Sequence, residues 1–180
     1  MADNVILVGF MGAGKSSVGR LLARRLGRCF VETDDMITAR EGCSIPEIFA
    51  ARGEAHFRAA EAEAVRLLAL KRGDVIATGG GLPCREGVPE ALRAIGTVVW
   101  LAGDFATLYE RARGATAERP MLASRSRDET EALFRAREPF YRRAHLTVDT
   151  THLAPDQVAA RVALALHERA RAPRPAEAGA

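Results

Sequence analysis

Gly9-Phe10-Met11-Gly12-Ala13-Gly14-Lys15-Ser16 reads G-x-x-x-x-G-K-[ST], a complete phosphate loop, close to the start of the 180-residue chain. Before it, Asn4-Val5-Ile6-Leu7-Val8 is a short apolar run of the kind that forms a buried parallel strand. Behind it, Val18, Leu21, Leu22 and Leu26 recur at helical spacing. Strand, glycine loop and helix thus stand in the order the motif requires. Glycines let the backbone wrap a polyphosphate with its N–H groups turned inward, and the helix behind adds its positive end. The lysine of such a loop reaches the β- and γ-phosphates, and the hydroxyl that follows is placed for Mg²⁺. Gly12, Ala13, Gly14, Lys15, Ser16 and Ser17 are the expected nucleotide contacts.

Outward from this motif, apolar runs recur at 4–9, 29–33, 74–78, 96–101 and 146–149. Helical patterns fall between them at 15–26, about 35–40, 45–51, 54–72, 89–94, 105–111, 127–144 and 155–171. Alternation of this kind predicts a three-layer α/β/α fold on a five-stranded parallel sheet, with ligands at the carboxyl ends of the strands. One domain is expected over residues 1–172, followed by a Pro/Ala/Glu-rich tail at 173–180. Residues 113–127 carry arginines, few apolar side chains and Pro120. That segment reads as a mobile lid over the phosphates, or as a plain surface connection.

Composition narrows the partners. Apolar residues make up 48% and charged residues 27%, ordinary for a globular chain, and no apolar run has the length of a membrane span. No signal-like segment opens the chain, so the expected compartment is the cytoplasm. Cys29, Cys43 and Cys84 are odd in number and lack metal-type spacing, so reduced thiols are expected, with Cys29 in a buried strand. Net charge is +3, yet Lys15 and Lys71 are the only lysines and arginine supplies every other basic residue. Arginine forks suit carboxylates and phosphates. Neither a basic stripe nor interleaved aromatics favour nucleic acid. Small acidic molecules are the better partner class, and a monomer is expected.

Polar residues follow the strands where the fold rule looks for them. In Glu32-Thr33-Asp34-Asp35, an extended chain would put Glu32 and Asp34 on one side, to hold Mg²⁺ or accept a proton. Asp35 reads as a helix cap. Thr78-Gly79-Gly80-Gly81 allows close backbone approach to a ligand, and equally a tight turn. Arg58 and Arg142, each on a helix, would ordinarily be solvated side chains.

Taken together, the motifs resemble the shikimate kinase family. The likeness rests on the phosphate loop with Val18-Gly19-Arg20, Leu22 and Ala23; Thr33-Asp34; Ser44-Ile45-Pro46-Glu47-Ile48-Phe49; Gly53-Glu54, Phe57-Arg58 and Glu61; Gly79-Gly80-Gly81; Arg119-Pro120-Met121-Leu122; and Tyr141-Arg142. It spans about residues 4–165. The resemblance implies transfer of the ATP γ-phosphate to the 3-hydroxyl of shikimate, with a substrate-binding segment at about 33–61. It implies Asp34 on the ring hydroxyls as proton acceptor, and Arg58 and Arg142 on the carboxylate, with Gly80 and Gly81 offering backbone donors and Gly79 also in the substrate site. Lys15 and Arg119 would stabilise the transferring phosphate, Arg111, with Arg113 or the turn from Thr151 to Pro155, would flank adenine, and Ser16 with Glu32 would hold Mg²⁺. The family usually carries aspartate where Glu32 stands, and threonine where Ser17 stands. A gluconate or nucleoside-monophosphate kinase, or a silent nucleotide-binding paralogue, is the alternative. The D-x-x-G and [NT]-K-x-D elements of a GTPase switch do not occur.

Overall fold

The computed structural model describes residues 3–114 and 125–171. Five strands, β1 (Asn4–Val8), β2 (Phe30–Glu32), β3 (Val75–Ala77), β4 (Gly96–Ala102) and β5 (Leu146–Asp149), form one sheet in the order β2-β3-β1-β4-β5. Every pairing is parallel. The central strand β1 is buried along its whole length, which is why Val5-Ile6-Leu7-Val8 carries no alternation.

The helices are α1 (Lys15–Leu26), α2 (Thr33–Glu41), α3 (Ile45–Leu68), α4 (Val88–Ile95), α5 (Phe105–Arg113), α6 (Arg127–Tyr141) and α7 (Pro155–Arg171), with a 3₁₀ turn at Leu82–Cys84. Strand order and handedness assign them to layers. The connection from β1 through α1 runs outward to β2, whereas those leaving β2, β3 and β4 run the other way across the sheet. Right-handed crossovers therefore put α1 on one face and α3, α4 and the α5–α6 pair on the other. Helix α7 packs beside α1. The reversal lies between β1 and β3, and their carboxyl ends open the crevice in which such sheets bind ligands.

Most expected elements stand within a few residues of their predicted bounds. Two predicted helices, 45–51 and 54–72, become one element with a non-helical break at Gly53, whose φ of 75° and ψ of 176° suit glycine. A capping box between Ser44 and Glu47 starts this element. Helices α2 and α3 close over a separate small core of Ile37, Ile48, Phe57, Ala60 and Ala64. The helix expected to run to 144 ends at Tyr141, where successive turns take over.

Two expectations are corrected. Strand β2 begins at Phe30, and Cys29 is exposed beside it rather than buried within it. After β2 the chain does not stay extended: Thr33 opens α2, so Asp34 and Asp35 both lie in its first turn. Glu32 occupies the N-cap position and no side chain caps this helix, so Asp35 is not the cap. The expected lid at 113–127 falls largely on 115–124, outside the described residues, and Arg119 with it. No described helix is long and apolar enough to cross a membrane.

Candidate active site

The phosphate loop turns from β1 into α1 with Gly9, Gly12 and Gly14 at φ of 147°, 80° and 82°. A side chain at Gly12 would overlap the Leu108 carbonyl oxygen of α5, so the loop is packed where it turns. Gly14 takes the N-cap position of α1 in the left-handed conformation, without a side-chain cap and without an acidic residue in the first turn. The first N–H groups of α1 thus face an anion-binding concavity. The Lys15 ammonium folds back over the loop and donates to the carbonyls of Gly9 at 2.8 Å and Phe10 at 3.1 Å. Ser16 Oγ donates to the Glu32 carboxylate, whose other oxygen meets Arg20 at 3.3 Å.

The second half of the site lies across the crevice. The Gly79 N–H donates to Thr33 Oγ1 at 2.9 Å, which ties the turn after β3 to the start of α2. A methyl group at Gly79 would stand 2.6 Å from Asp34 Oδ1, so glycine is needed for the carboxylate to lie against that turn. Burial raises the Asp34 pKa above its ordinary value; the Lys15 ammonium opposes the rise and the Glu32 carboxylate adds to it.

Arg58, in α3, grips Glu54 at 2.7 Å and Glu61 at 2.9 Å. Glu61 is buried, and Arg85 approaches it at 3.7 Å while donating to the Arg58 carbonyl at 2.9 Å. Desolvation pushes the Glu61 carboxyl up against the pull of these two arginines. From the position a side chain would take at Gly81, Arg58 Nη1 is 3.7 Å away and Arg137 Nη2 is 3.2 Å away. The same construction at Gly80 lies 3.6 Å from the Gly9 carbonyl oxygen and 3.9 Å from the Met11 nitrogen. That position at Gly80 is also 3.8 Å from Arg137 Nη1, so the glycine turn stands near the phosphate loop and near both guanidinium groups. Cradle and cationic pocket share one cleft.

The second arginine is not the one the sequence suggested. Arg142 is exposed, pairs with Glu138 at 2.6 Å and lies over the Trp100 ring at 5.6 Å. Arg137 takes its place beside Gly80 and Gly81, with Phe10 under its guanidinium at 6.0 Å. A signal for it exists in the sequence. Thr130, Leu133, Phe134, Arg137 and Tyr141 follow helical spacing on the inward side of α6, so Arg137 is a cation within an otherwise packed stripe. Arg142 stands one residue past that stripe, rotated away from it.

Arg111, expected near adenine, donates to the carbonyls of Thr150 at 2.9 Å and Leu153 at 3.3 Å. It thereby braces the turn that leads to Pro155, the first residue of α7. Ser17 is exposed on α1.

Loop, strand order and crevice are those of a phosphate-loop kinase. The shikimate kinase family model matches residues 11–167. A shikimate kinase of Symbiobacterium thermophilum is 46% identical over 169 residues, covering 92% of this chain and 97% of that protein. Among solved structures, shikimate kinase from Aquifex aeolicus superposes with a TM-score of 0.84 at 38% identity, over 94% of this chain and 99% of that one. Shikimate kinase from Acinetobacter baumannii in complex with shikimate gives 0.87 at 34% identity, over 96% and 97%. The chain belongs to the shikimate kinase family.

Proposed function

We propose that this enzyme phosphorylates the 3-hydroxyl of shikimate with ATP, and that the cleft between the phosphate loop and the glycine turn is where it does so. The carrying observation is that a side chain at Gly80 would meet the Gly9 carbonyl, the Met11 nitrogen and Arg137, and one at Gly81 would meet Arg137 and Arg58. A triphosphate in the loop and a carboxylate between two guanidiniums would then lie along one turn, facing a common cleft. A polyhydroxy acid the size of shikimate spans that separation.

Each residue has a role that its surroundings support. The α1 N-terminus and loop N–H groups bind the triphosphate. Lys15, now held by two carbonyls, exchanges them for β- and γ-phosphate oxygens and neutralises charge as the phosphoryl group moves. Arg58 and Arg137 grip the substrate carboxylate with two-pronged hydrogen bonds. Asp34 receives the hydroxyl proton; desolvation makes its carboxylate a better acceptor than one in water. Arg119 on the expected lid is assigned to the transferring phosphate, and Arg111 with Pro155 to the adenine rim. We assign the enzyme to the cytoplasm as a monomer.

Mg²⁺ belongs to the same proposal. Ser16 Oγ and the Glu32 carboxylate are in contact, all their donors are hard oxygens, and α1 and the end of β2 bring them together beside the loop. Among the described residues no three or more His, Cys, Asp or Glu side chains form a closed cage, so the coordination shell would be completed by phosphate oxygens and water. This donor set fits the ion, and the longer glutamate reaches the serine. When bound, Mg²⁺ would screen the charge of the β- and γ-phosphates.

The test is ADP release in a coupled assay, with and without shikimate and at varied Mg²⁺, beside gluconate and nucleoside monophosphates as acceptors. Shikimate-dependent release is the expected result. Equal release with gluconate would overturn the substrate assignment.

A further inference from the structure

Tyr141 is fully buried at the end of α6, yet its hydroxyl is not idle: it donates to the Gly80 carbonyl oxygen at 2.7 Å. Cys84 Sγ approaches the same oxygen at 3.7 Å. Burial drives the Tyr141 hydroxyl far above its usual range and raises the Cys84 thiol as well, which favours the protonated, donating form of each. The Gly80 carbonyl is thereby fixed toward the protein interior.

Fixing that carbonyl fixes more than one atom. The Gly80–Gly81 peptide is trans and planar, so the Gly81 N–H points opposite to the Gly80 C=O, away from Tyr141. At the Gly81 φ of −86°, this N–H is nearly eclipsed with the direction in which a side chain would leave the α-carbon. That direction leads to Arg137 Nη2 and Arg58 Nη1, 3.2 and 3.7 Å from the position of such a side chain. Among the described residues the Gly81 N–H has no acceptor of its own. Glycine flanks on both sides leave this peptide unusually free to rotate unless something holds it.

We propose that Tyr141 is a positioning residue: it locks the Gly80–Gly81 peptide so that the Gly81 N–H converges with Arg58 and Arg137 on the substrate carboxylate. Cys84 is the weaker partner of the same lock. The inference rests on the carboxylate pocket proposed above, takes from the family resemblance that the glycine turn offers backbone donors, and adds the residue that aims one of them. Tyr141 touches no substrate. Its effect passes through the orientation of one peptide plane, and so falls on recognition of the acid rather than on phosphate transfer.

The experiment compares the full-length enzyme with Tyr141→Phe, which keeps the ring and removes only the donor. The shikimate KM should rise about fivefold, the loss expected for one misdirected hydrogen bond, while kcat and the ATP KM stay within about twofold. In the ¹⁵N-labelled wild type, saturating shikimate should move the Gly81 amide proton downfield, and less so in the variant. An unchanged shikimate KM in a folded variant overturns the proposal, as does a loss spread equally over kcat and both KM values. If the variant does not fold, the wild-type amide decides alone, and no downfield movement overturns the proposal. Arg58→Ala and Arg137→Ala separate the two levels. If neither raises the shikimate KM, the pocket itself is misassigned; if both do and Tyr141→Phe does not, only the role of Tyr141 falls.

Discussion

The two halves of the cleft are built by different means. The phosphate half is one contiguous stretch whose ligand groups are mostly backbone N–H, shaped by glycines and by the start of α1. The half proposed for the acid is assembled from side chains: Asp34 from α2, Arg58 from α3 and Arg137 from α6, gathered around the turn after β3. A contiguous backbone site is specified once its local conformation is specified. A convergent side-chain site exists only after four separate elements have packed, and one helical residue more or less changes which side chain arrives. Nucleotide binding and acid recognition should therefore fail separately under mutation.

The largest expected effect comes from removing the charge that both halves share in the reaction. Lys15→Met should lower kcat by about 10³-fold or more, while circular dichroism and the melting transition stay close to wild type. Retained turnover would dismiss Lys15 from charge stabilisation.

Next is Asp34→Asn, expected to cut kcat by about 10²-fold, with a smaller change in the shikimate KM. In the wild type, activity should climb with pH as Asp34 loses its proton, at a pH above the ordinary value of 3.8, and the variant should lack that limb. The same residue makes an opposite prediction for stability. Its folded pKa is raised, so its contribution to stability is full below about pH 3.8 and disappears as pH rises through the folded value. At neutral pH the ionised carboxylate thus weakens the fold, and Asp34→Asn should melt at a higher temperature than wild type while turning over far more slowly. A lower Tm would contradict the desolvation account.

The comparison is sharpened by the three arginines. Arg137→Ala and Arg58→Ala should each raise the shikimate KM about 10- to 100-fold and leave the ATP KM within about twofold. Arg58→Ala should also lower Tm, because buried Glu61 would keep only the more distant Arg85. Arg142→Ala, at an exposed pair with Glu138, should change either KM by less than about twofold. A large effect at Arg142 and none at Arg137 would reverse the assignment made from the geometry.

How far the sequence reached follows the same division. Strand order aside, the α/β alternation was legible because each apolar run is short and each helix has its own stripe, as in Val18, Leu22 and Ala23. The break at Gly53 was legible because glycine interrupts helical spacing on its own. The start of α2 was not: Glu32-Thr33-Asp34 reads equally well as extended chain. There Thr33 Oγ1 accepts from the Gly79 N–H, a partner 46 residues away in sequence that local reading cannot supply.

By itself, then, the sequence determined the phosphate cradle and the layering of helices and strands, since these depend on local conformation and periodicity. Tertiary structure decided that Arg137 rather than Arg142 stands beside the glycine turn, that Asp34 is partly desolvated beside Lys15, and that the Tyr141 hydroxyl meets the carbonyl of Gly80, 61 residues before it. The reason is geometric. A helical face turns by about 100° per residue, so direction into a shared cleft is fixed only when the helices that bear these side chains are packed against the sheet.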